Sequence, residues 1–176
     1  MSPGISSSTA QSQEHELIKR VLAEFSNYHM HGGMYTHDDG LQVSLPTALA
    51  DVVATGWTAG DSTGAGYVVV DAANGTITIG DKGAGRYQFS ASISFSSDKA
   101  NVEIHGAIFI NGVKQLKLGF RRTIAPANDI GDAGIPSLTE FLSPGDVIDF
   151  RFNSDTNNNV LDIEHGGWGI IWMAGE

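Results

Sequence analysis

The stretch Gly85-Arg86-Tyr87-Gln88-Phe89-Ser90-Ala91-Ser92-Ile93-Ser94-Phe95 alternates polar and apolar residues throughout. Successive side chains of a β-strand point to opposite faces of a sheet, so this period of two predicts a strand with one buried and one polar face. Two later segments join a turn to apolar residues: Ile110-Asn111-Gly112-Val113 and Leu142-Ser143-Pro144-Gly145-Asp146-Val147-Ile148. Asn-Gly favours a tight hairpin and Pro-Gly-Asp favours a turn. The C-terminal half therefore predicts an antiparallel all-β fold.

The same periodicity begins at residue 41, and no helical pattern lies between the strand-like segments, which argues against a parallel α/β sheet. A second Asn-Gly hairpin signal falls at Asn74-Gly75. The candidate strands are 41–45, 50–56, 66–72, 75–80, 86–95, 101–111, 113–122, 146–153, 160–164 and 168–173.

Composition limits the class of protein and its partners. The 176 residues suffice for one domain with a sizeable core, and the low charged fraction of 17% favours surface buried in an assembly. A net charge of about −10 repels nucleic-acid phosphates and anionic lipid, so we expect no nucleic-acid partner and no membrane insertion. The chain has no cysteine, which excludes disulfides and thiol nucleophiles.

The N-terminal part has a different organisation. Residues 1–12 are predicted to be a flexible arm, 13–28 an amphipathic helix, 29–40 a Gly/His-rich linker and 41–176 the β-domain. A trimeric bundle or a peg that docks on a partner is favoured for the helix over a helix lying on its own β-domain. No secretory signal is recognisable at the start, so we expect synthesis in a cytoplasm. The apolar stripe of the helix consists of Leu17, Ile18, Val21, Leu22 and Phe25.

The order of the motifs resembles the C1q/tumour-necrosis-factor-like (C1q/TNF-like) jelly roll over about residues 65–175. Members of that family carry a Gly-x-Tyr-x-Phe segment, a later Asn-Gly turn, and a Leu-x-x-Gly-Asp stretch before the penultimate hairpin. The resemblance implies an antiparallel β-sandwich that works as a homotrimer. We expect six residues to form its core and threefold contact: Tyr87, Phe89, Phe109, Trp168, Ile170 and Trp172.

In the last strand, Trp168, Ile170 and Trp172 are predicted to share one face, with Ile171 and Met173 on the other. A strand that is apolar on both faces favours burial on both sides. The resemblance implies that a neighbouring subunit covers the second face.

The chain lacks a collagen-like stalk, and its N-terminal arm, helix and hinge resemble those of jelly-roll proteins in bacteriophage virions. The leading hypothesis is a trimeric capsid decoration or head-fibre protein of the virion, anchored through its N-terminal segment. The alternative is a tail-fibre or lectin-like module that binds host-surface glycan, with Trp57, Asp61 and Ser62 as a candidate patch.

Motifs for catalysis are missing: no nucleophile elbow, metalloprotease helix, phosphate loop or dinucleotide fingerprint occurs. We expect that the protein is not an enzyme and uses no cofactor. A pair of glycosidase carboxylates has no sequence motif, because the distance between the two groups is a property of the folded chain. His29, His31 and His37 are weak metal candidates, for which a polar linker is the favoured interpretation.

Two other groups of polar residues have a simpler interpretation than a binding site. The loop 153–159 places oxygen-bearing side chains at alternate positions, as calcium loops do, but an ordinary hairpin loop is favoured. Arg86, Arg121 and Arg122 are expected to pair with acidic residues on the surface or between subunits rather than to bind an anionic ligand.

Overall fold

The computed structural model describes residues 31–63 and 66–174, and this part of the chain is all-β. The arm predicted for residues 1–12 and the helix predicted for 13–28 lie outside the described residues. Within the described ranges no helix could cross a membrane. The strands are β1 His31–Leu45, β2 Val52–Val53, β3 Thr58–Ser62, β4 Val68–Asp71, β5 Thr76–Ile79, β6 Gly85–Ser97, β7 Val102–Ile110, β8 Val113–Ile124, β9 Gly131–Leu142, β10 Val147–Ser154 and β11 Asn159–Ala174.

The strands form two antiparallel sheets packed face to face. One sheet has five strands in the order β3-β1-β11-β6-β9. The other has the order β4-β5-β10-β7-β8, and β2 also pairs with β10. Neighbours within a sheet are mostly distant in sequence, which is the jelly-roll arrangement. The prediction of an antiparallel β-sandwich is confirmed.

The core lies between the sheets and follows the predicted alternation. Tyr87, Phe89 and Phe95 of β6 are fully buried, as are Phe150 and Phe152 of β10 in the opposite sheet. The rings of Phe95 and Phe152 meet across the core with centroids 6.2 Å apart. The rings of Phe150 and Phe152 meet edge to face with centroids 5.0 Å apart. Each such side chain stabilises the fold by about 1.5–3 kcal/mol through burial of apolar surface.

The prediction of a linker at residues 29–40 is wrong for residues 31–40, because these residues belong to β1. This strand lies inside the five-stranded sheet, between β3 and β11. Met34 faces the core and is almost fully buried. Glycine and histidine are poor indicators of a strand, so local composition concealed a segment that pairing with β11 holds extended. The β-domain therefore includes residue 31.

Two edge strands were not predicted. β9 contains Gly131, Gly134 and Pro136, residues that argue against a strand but are tolerated at a sheet edge. β3, with the sequence Thr-Ala-Gly-Asp-Ser, has no apolar alternation and is also an edge strand. The strand predicted for 50–56 shortens to Val52–Val53. The two segments 160–164 and 168–173 are one strand, β11, with a register shift between Ile163 and His165.

The two ends of the sandwich differ. Strand β1 begins at one end, where His31 pairs with Ile171. At the opposite end lie the loops 46–51, 98–101, 125–130 and 155–158, here called the distal loops. Backbone hydrogen bonds join them to one another and to neighbouring strands: Asn101 N donates to Ala125 O at 2.9 Å, and Asn158 N donates to Pro46 O at 3.2 Å. The segment that precedes β1 is therefore at the end away from the distal loops.

Candidate interface on the five-stranded sheet

The five-stranded sheet turns one face away from the core, here called the outward face. Its positions follow from strand pairing: Gly33 of β1 pairs with Gly169 of β11, and Gly169 pairs with Ser90 of β6. Tyr35, Gly167 and Ser92 form the next row. These residues alternate with the buried ones along each strand.

Large apolar side chains surround the middle of this face. Tyr35 is 47% exposed, Ile171 is 51% exposed, and Phe141, which pairs with Arg86, is 41% exposed. Met173, at the bulge between Trp172 and Ala174, is 53% exposed. Gln88 and Arg86 of β6 lie between Ile171 and Phe141. Several large exposed apolar side chains on one face are nevertheless typical of an interaction site.

Glycine and serine make the floor between these side chains flat. A Cβ atom at Gly167 would lie 2.6 Å from the carbonyl oxygen of Met34, and one at Gly169 would lie 2.7 Å from that of Gly32. The two positions therefore exclude larger residues. The result is a shallow depression of about 460 Å³ bordered by Tyr35 and Ile171. A flat floor with apolar borders suits the close approach of another protein surface.

The residues predicted for core and threefold contact are mostly core. Tyr87, Phe89, Trp168 and Ile170 are buried inside one chain, and Trp172 is half-buried against the same core. They therefore offer little surface to a second chain. The exposed neighbours Ile171 and Met173 occupy the position that the sequence analysis assigned to a covering subunit.

Phe109 lies on the other side of the molecule, on the outer face of the six-stranded sheet. It is buried under the guanidinium of Arg151, 4.2 Å from the ring centroid, and the ammonium of Lys114, 5.7 Å from it. These cation–π contacts satisfy the ring within one chain. Phe109 therefore lies in a different sheet from Tyr87, away from the outward face on which the threefold contact is expected.

The tyrosine of β6 also anchors a loop. The hydroxyl of Tyr87 donates a hydrogen bond of 2.6 Å to the carbonyl oxygen of Gly83. Burial raises the pKa of Tyr87 to about 12, because the phenolate would lose its hydration. The residue thus joins core packing to the conformation of the loop before β6.

The candidate glycan patch does not form. Trp57 is only 5% exposed, and its indole N–H donates to the carbonyl oxygen of Ala54 at 2.8 Å. The buried ring cannot stack on a sugar together with the exposed Asp61 and Ser62. Sequence could not reveal this, because a tryptophan in a Gly-rich loop has no periodicity that indicates burial.

The oxygen-rich loop between β10 and β11 uses its side chains internally. Asp155 Oδ1 accepts from the backbone N–H of Glu103 at 3.0 Å, and Asn157 Oδ1 accepts from that of Ala48 at 2.7 Å. These bonds favour the hairpin-loop interpretation over a calcium site. Among residues 31–63 and 66–174, no group of three or more His, Asp or Glu side chains could hold a metal ion.

The arginines predicted to pair on the surface behave differently. Arg121 forms an ion pair with Glu103, whose other carboxylate oxygen lies 2.6 Å from His105 Nε2. The hydrogen bond from His105, followed by that from Arg121, holds the pKa of Glu103 below its ordinary value. Arg86 lies on the outward face opposite Phe141, and Arg122 is exposed on β8.

The predicted histidine cluster is separated by the strand that replaces the linker. His31 and His37 lie on β1 six residues apart, a separation of about 20 Å in an extended chain, so they cannot share one ion. His29 lies outside the described residues. The structure instead places His37 directly opposite His165 of β11, a residue that the sequence analysis did not single out.

The architecture defines a class: the described part of the chain is a TNF/C1q-like jelly roll. The solved structures that share it include three with low sequence identity. Eiger TNF from S. frugiperda is 12% identical, with a TM-score of 0.61 over 84% of this chain and 94% of that one. The globular domain of zebrafish complement 1qA protein is 10% identical, with a TM-score of 0.55 over 84% and 99%. Murine APRIL at pH 5.0 is 13% identical, with a TM-score of 0.53 over 81% and 99%.

No protein-family model and no curated protein matches the sequence. The likeness therefore lies in the fold, and the function has to be argued from the chain's own surfaces.

Proposed function

We propose that this chain is a bacteriophage virion structural protein that acts by association and not by catalysis. The jelly roll forms a homotrimeric head, and the segment before His31 attaches the trimer to the capsid as a decoration protein or head fibre. The protein is made in the host cytoplasm and resides in the virion. It uses no cofactor.

The observation that carries this proposal is the outward face of the five-stranded sheet. Tyr35, Phe141, Ile171 and Met173 expose apolar surface beside a floor of glycine and serine. A second and third copy of the chain would cover this surface, and interfaces of permanent oligomers are apolar in the same way. The low charged fraction of the chain supports the same conclusion.

The position of strand β1 supports attachment through the N-terminal segment. The chain passes from residues 1–30 into β1 at the end of the sandwich opposite the distal loops. A particle bound to that segment would leave the distal loops pointing outward. The apolar stripe from Leu17 to Phe25 supplies residues with which the segment could dock.

The first experiment is the absolute mass of the full chain in solution, measured by light scattering on a size-exclusion column. We expect a mass about three times 18.6 kDa. A mass of 18.6 kDa at micromolar concentration would overturn the trimeric head.

The second experiment addresses the virion. Particles purified from the phage that encodes the chain should contain it at a fixed ratio to the major capsid protein, measured by quantitative mass spectrometry. Added to particles that lack it, the full chain should rebind, whereas a chain shortened to residues 31–176 should not. Absence of the chain from purified particles would overturn the virion assignment without affecting the trimer.

A further inference from the structure

Two histidines meet across neighbouring strands of the outward face. His37 of β1 and His165 of β11 are register partners, and both are exposed. Directly opposed residues of an antiparallel pair project to the same side, with Cβ atoms about 4.5–5.5 Å apart. Two imidazoles at this spacing can reach a single ion, because histidine nitrogens bind zinc at about 2.0–2.1 Å.

The backbone is irregular beside this pair of histidines. The register of β1 shifts between His37 and Leu41, and the register of β11 against β6 shifts between Ile163 and His165. Bulges of this kind redirect side chains and are frequent beside functional sites. The next outward position along β11 is Gly167, so β11 itself contributes no side chain beside the pair on that side.

The local charge also favours a cation. Asp162 pairs with Gln42 on the same two strands, and its Oδ1 atom is buried without a hydrogen-bond partner among the described residues. A carboxylate on the two strands that carry the histidine pair favours a cation over an anion there. The chain as a whole carries a net charge of about −10.

We propose that His37 and His165 form a binding site for a divalent transition-metal ion such as Zn²⁺ on the outward face. Imidazole selects ions of this class over Mg²⁺ and Ca²⁺, which prefer oxygen ligands. Each chain supplies two ligands. Water completes the coordination in a single chain, and groups of a neighbouring copy can do so in the trimer of the proposed function.

The site also has a consequence for assembly. Because it lies one row beyond Tyr35 and Gly167, on the surface that the proposed trimer buries, an ion there is linked to association. If the assembled state binds each ion more tightly than the single chain does, zinc stabilises the trimer by that factor for each ion bound. This second statement rests on the proposed function, whereas binding by the histidine pair does not.

The test is calorimetric titration of the full chain, freed of metal with EDTA, with zinc chloride. We expect one ion per chain, and loss of detectable binding in both His37→Ala and His165→Ala. The His105→Ala variant is the matched control, since His105 lies on the other sheet beside Glu103. His31→Ala, at the far end of β1, should also retain binding.

Imidazole nitrogen resonances of the ¹⁵N-histidine-labelled chain provide the second readout. Zinc should shift the signals lost in His37→Ala and His165→Ala and leave the signal lost in His105→Ala in place. Undiminished zinc binding in either His37→Ala or His165→Ala would overturn the site, as would absence of binding by the unaltered chain. Mass measured with EDTA and with zinc separates the two proposals: a monomer that binds zinc through both histidines sustains the metal site while the trimer fails.

Discussion

The outer faces of the two sheets carry different kinds of side chain. On the six-stranded sheet, charged side chains pair with one another: Arg151 with Asp149 and Lys114 with Asp51, at 2.6 and 2.9 Å. On the outward face of the five-stranded sheet, exposed apolar side chains lie beside glycine and serine, and Arg86 is exposed among them. Charged side chains that pair within one chain are satisfied without a partner. An apolar surface is stabilised when a partner removes it from water.

The largest expected effect comes from a charge placed on the apolar face. Ile171→Arg should convert the proposed trimer into monomers, because three copies of the guanidinium would be desolvated in the contact without carboxylate partners. Light scattering on a size-exclusion column measures this change. The matched control is Leu116→Arg on β8 of the other sheet, where the leucine is 87% exposed. If both variants dissociate, or neither does, the two faces are not different in the way described.

A pair of phenylalanines sharpens the comparison between core and surface. Phe150→Ala removes a fully buried ring and should lower the free energy of unfolding by about 3–5 kcal/mol. Phe141→Ala, on the outward face, should lower that of the single chain by no more than about 1 kcal/mol while weakening association. Urea unfolding at low protein concentration checks the first value, and mass against concentration checks the second. Equal losses of stability would contradict the assignment of Phe141 to the surface.

The outer face of the six-stranded sheet can be tested at the ion pair between Arg151 and the buried Asp149. Asp149 is buried and accepts two hydrogen bonds from Arg151, which raise the pKa of that guanidinium. Asp149→Ala leaves the arginine unpaired and should cost about 1–3 kcal/mol. Lys99→Ala, which removes an exposed pair with Asp98, should cost less than about 0.5 kcal/mol. A double-mutant cycle with Arg151→Ala that shows no coupling would rule out a stabilising pair.

Tyr87 tests the layer beneath the five-stranded sheet. Tyr87→Phe leaves the carbonyl of Gly83 without its donor and should cost about 1 kcal/mol. The pKa of the Tyr87 hydroxyl rises from 10.0 to about 12 on folding. The contribution of this tyrosine to the free energy of unfolding is therefore complete below pH 10 and is lost as the pH rises toward 12. Unfolding free energies measured from pH 9 to 12 should therefore fall less steeply in the variant. A parallel decline would show that another group controls the alkaline limb.

The smallest expected effect is a change in acid stability caused by Glu103 of β7, in the six-stranded sheet. Since its pKa is lowered below its ordinary value of 4.5 in the folded state, its contribution is present above that value and disappears as the pH falls through the lowered pKa. Glu103→Gln should flatten the acid limb of the stability curve slightly. An unchanged acid limb would mean that His105 and Arg121 do not stabilise the carboxylate. Arg121 is 71% exposed, so salt screens its contribution to the effect.

Strands with strict alternation and turns with Asn-Gly or Pro-Gly-Asp were predictable from sequence, because these signals are local. β6 and the turn at Asn111-Gly112 appear where they were expected. Edge strand β9 and the first part of β1, residues 31–40, were missed, because pairing with neighbours, and not local composition, holds them extended.

The residues of the candidate site also divide into those with a local sequence signal and those whose position depends on how the strands and sheets pair. That Ile171 and Met173 face away from Trp168 follows from the period of two along β11. Which aromatic residues one chain buries by itself depends on how the sheets pack, and for that reason Trp57 and Phe109 were misjudged. The partnership of His37 with His165 depends on a strand pairing across 128 positions of sequence, for which the chain carries no local sign.

The pairing of β1 with β11 also governs when the protein can fold. His31 reaches its partner Ile171 only after nearly the whole described chain has been made, and loop closure over such distances makes folding slow. During translation β1 has no neighbour on its β11 side, so the outward face does not yet exist on a nascent chain. The proposed trimer could therefore assemble through this face only after β11 has been made, so nascent chains that lack β11 would not associate through a half-built surface.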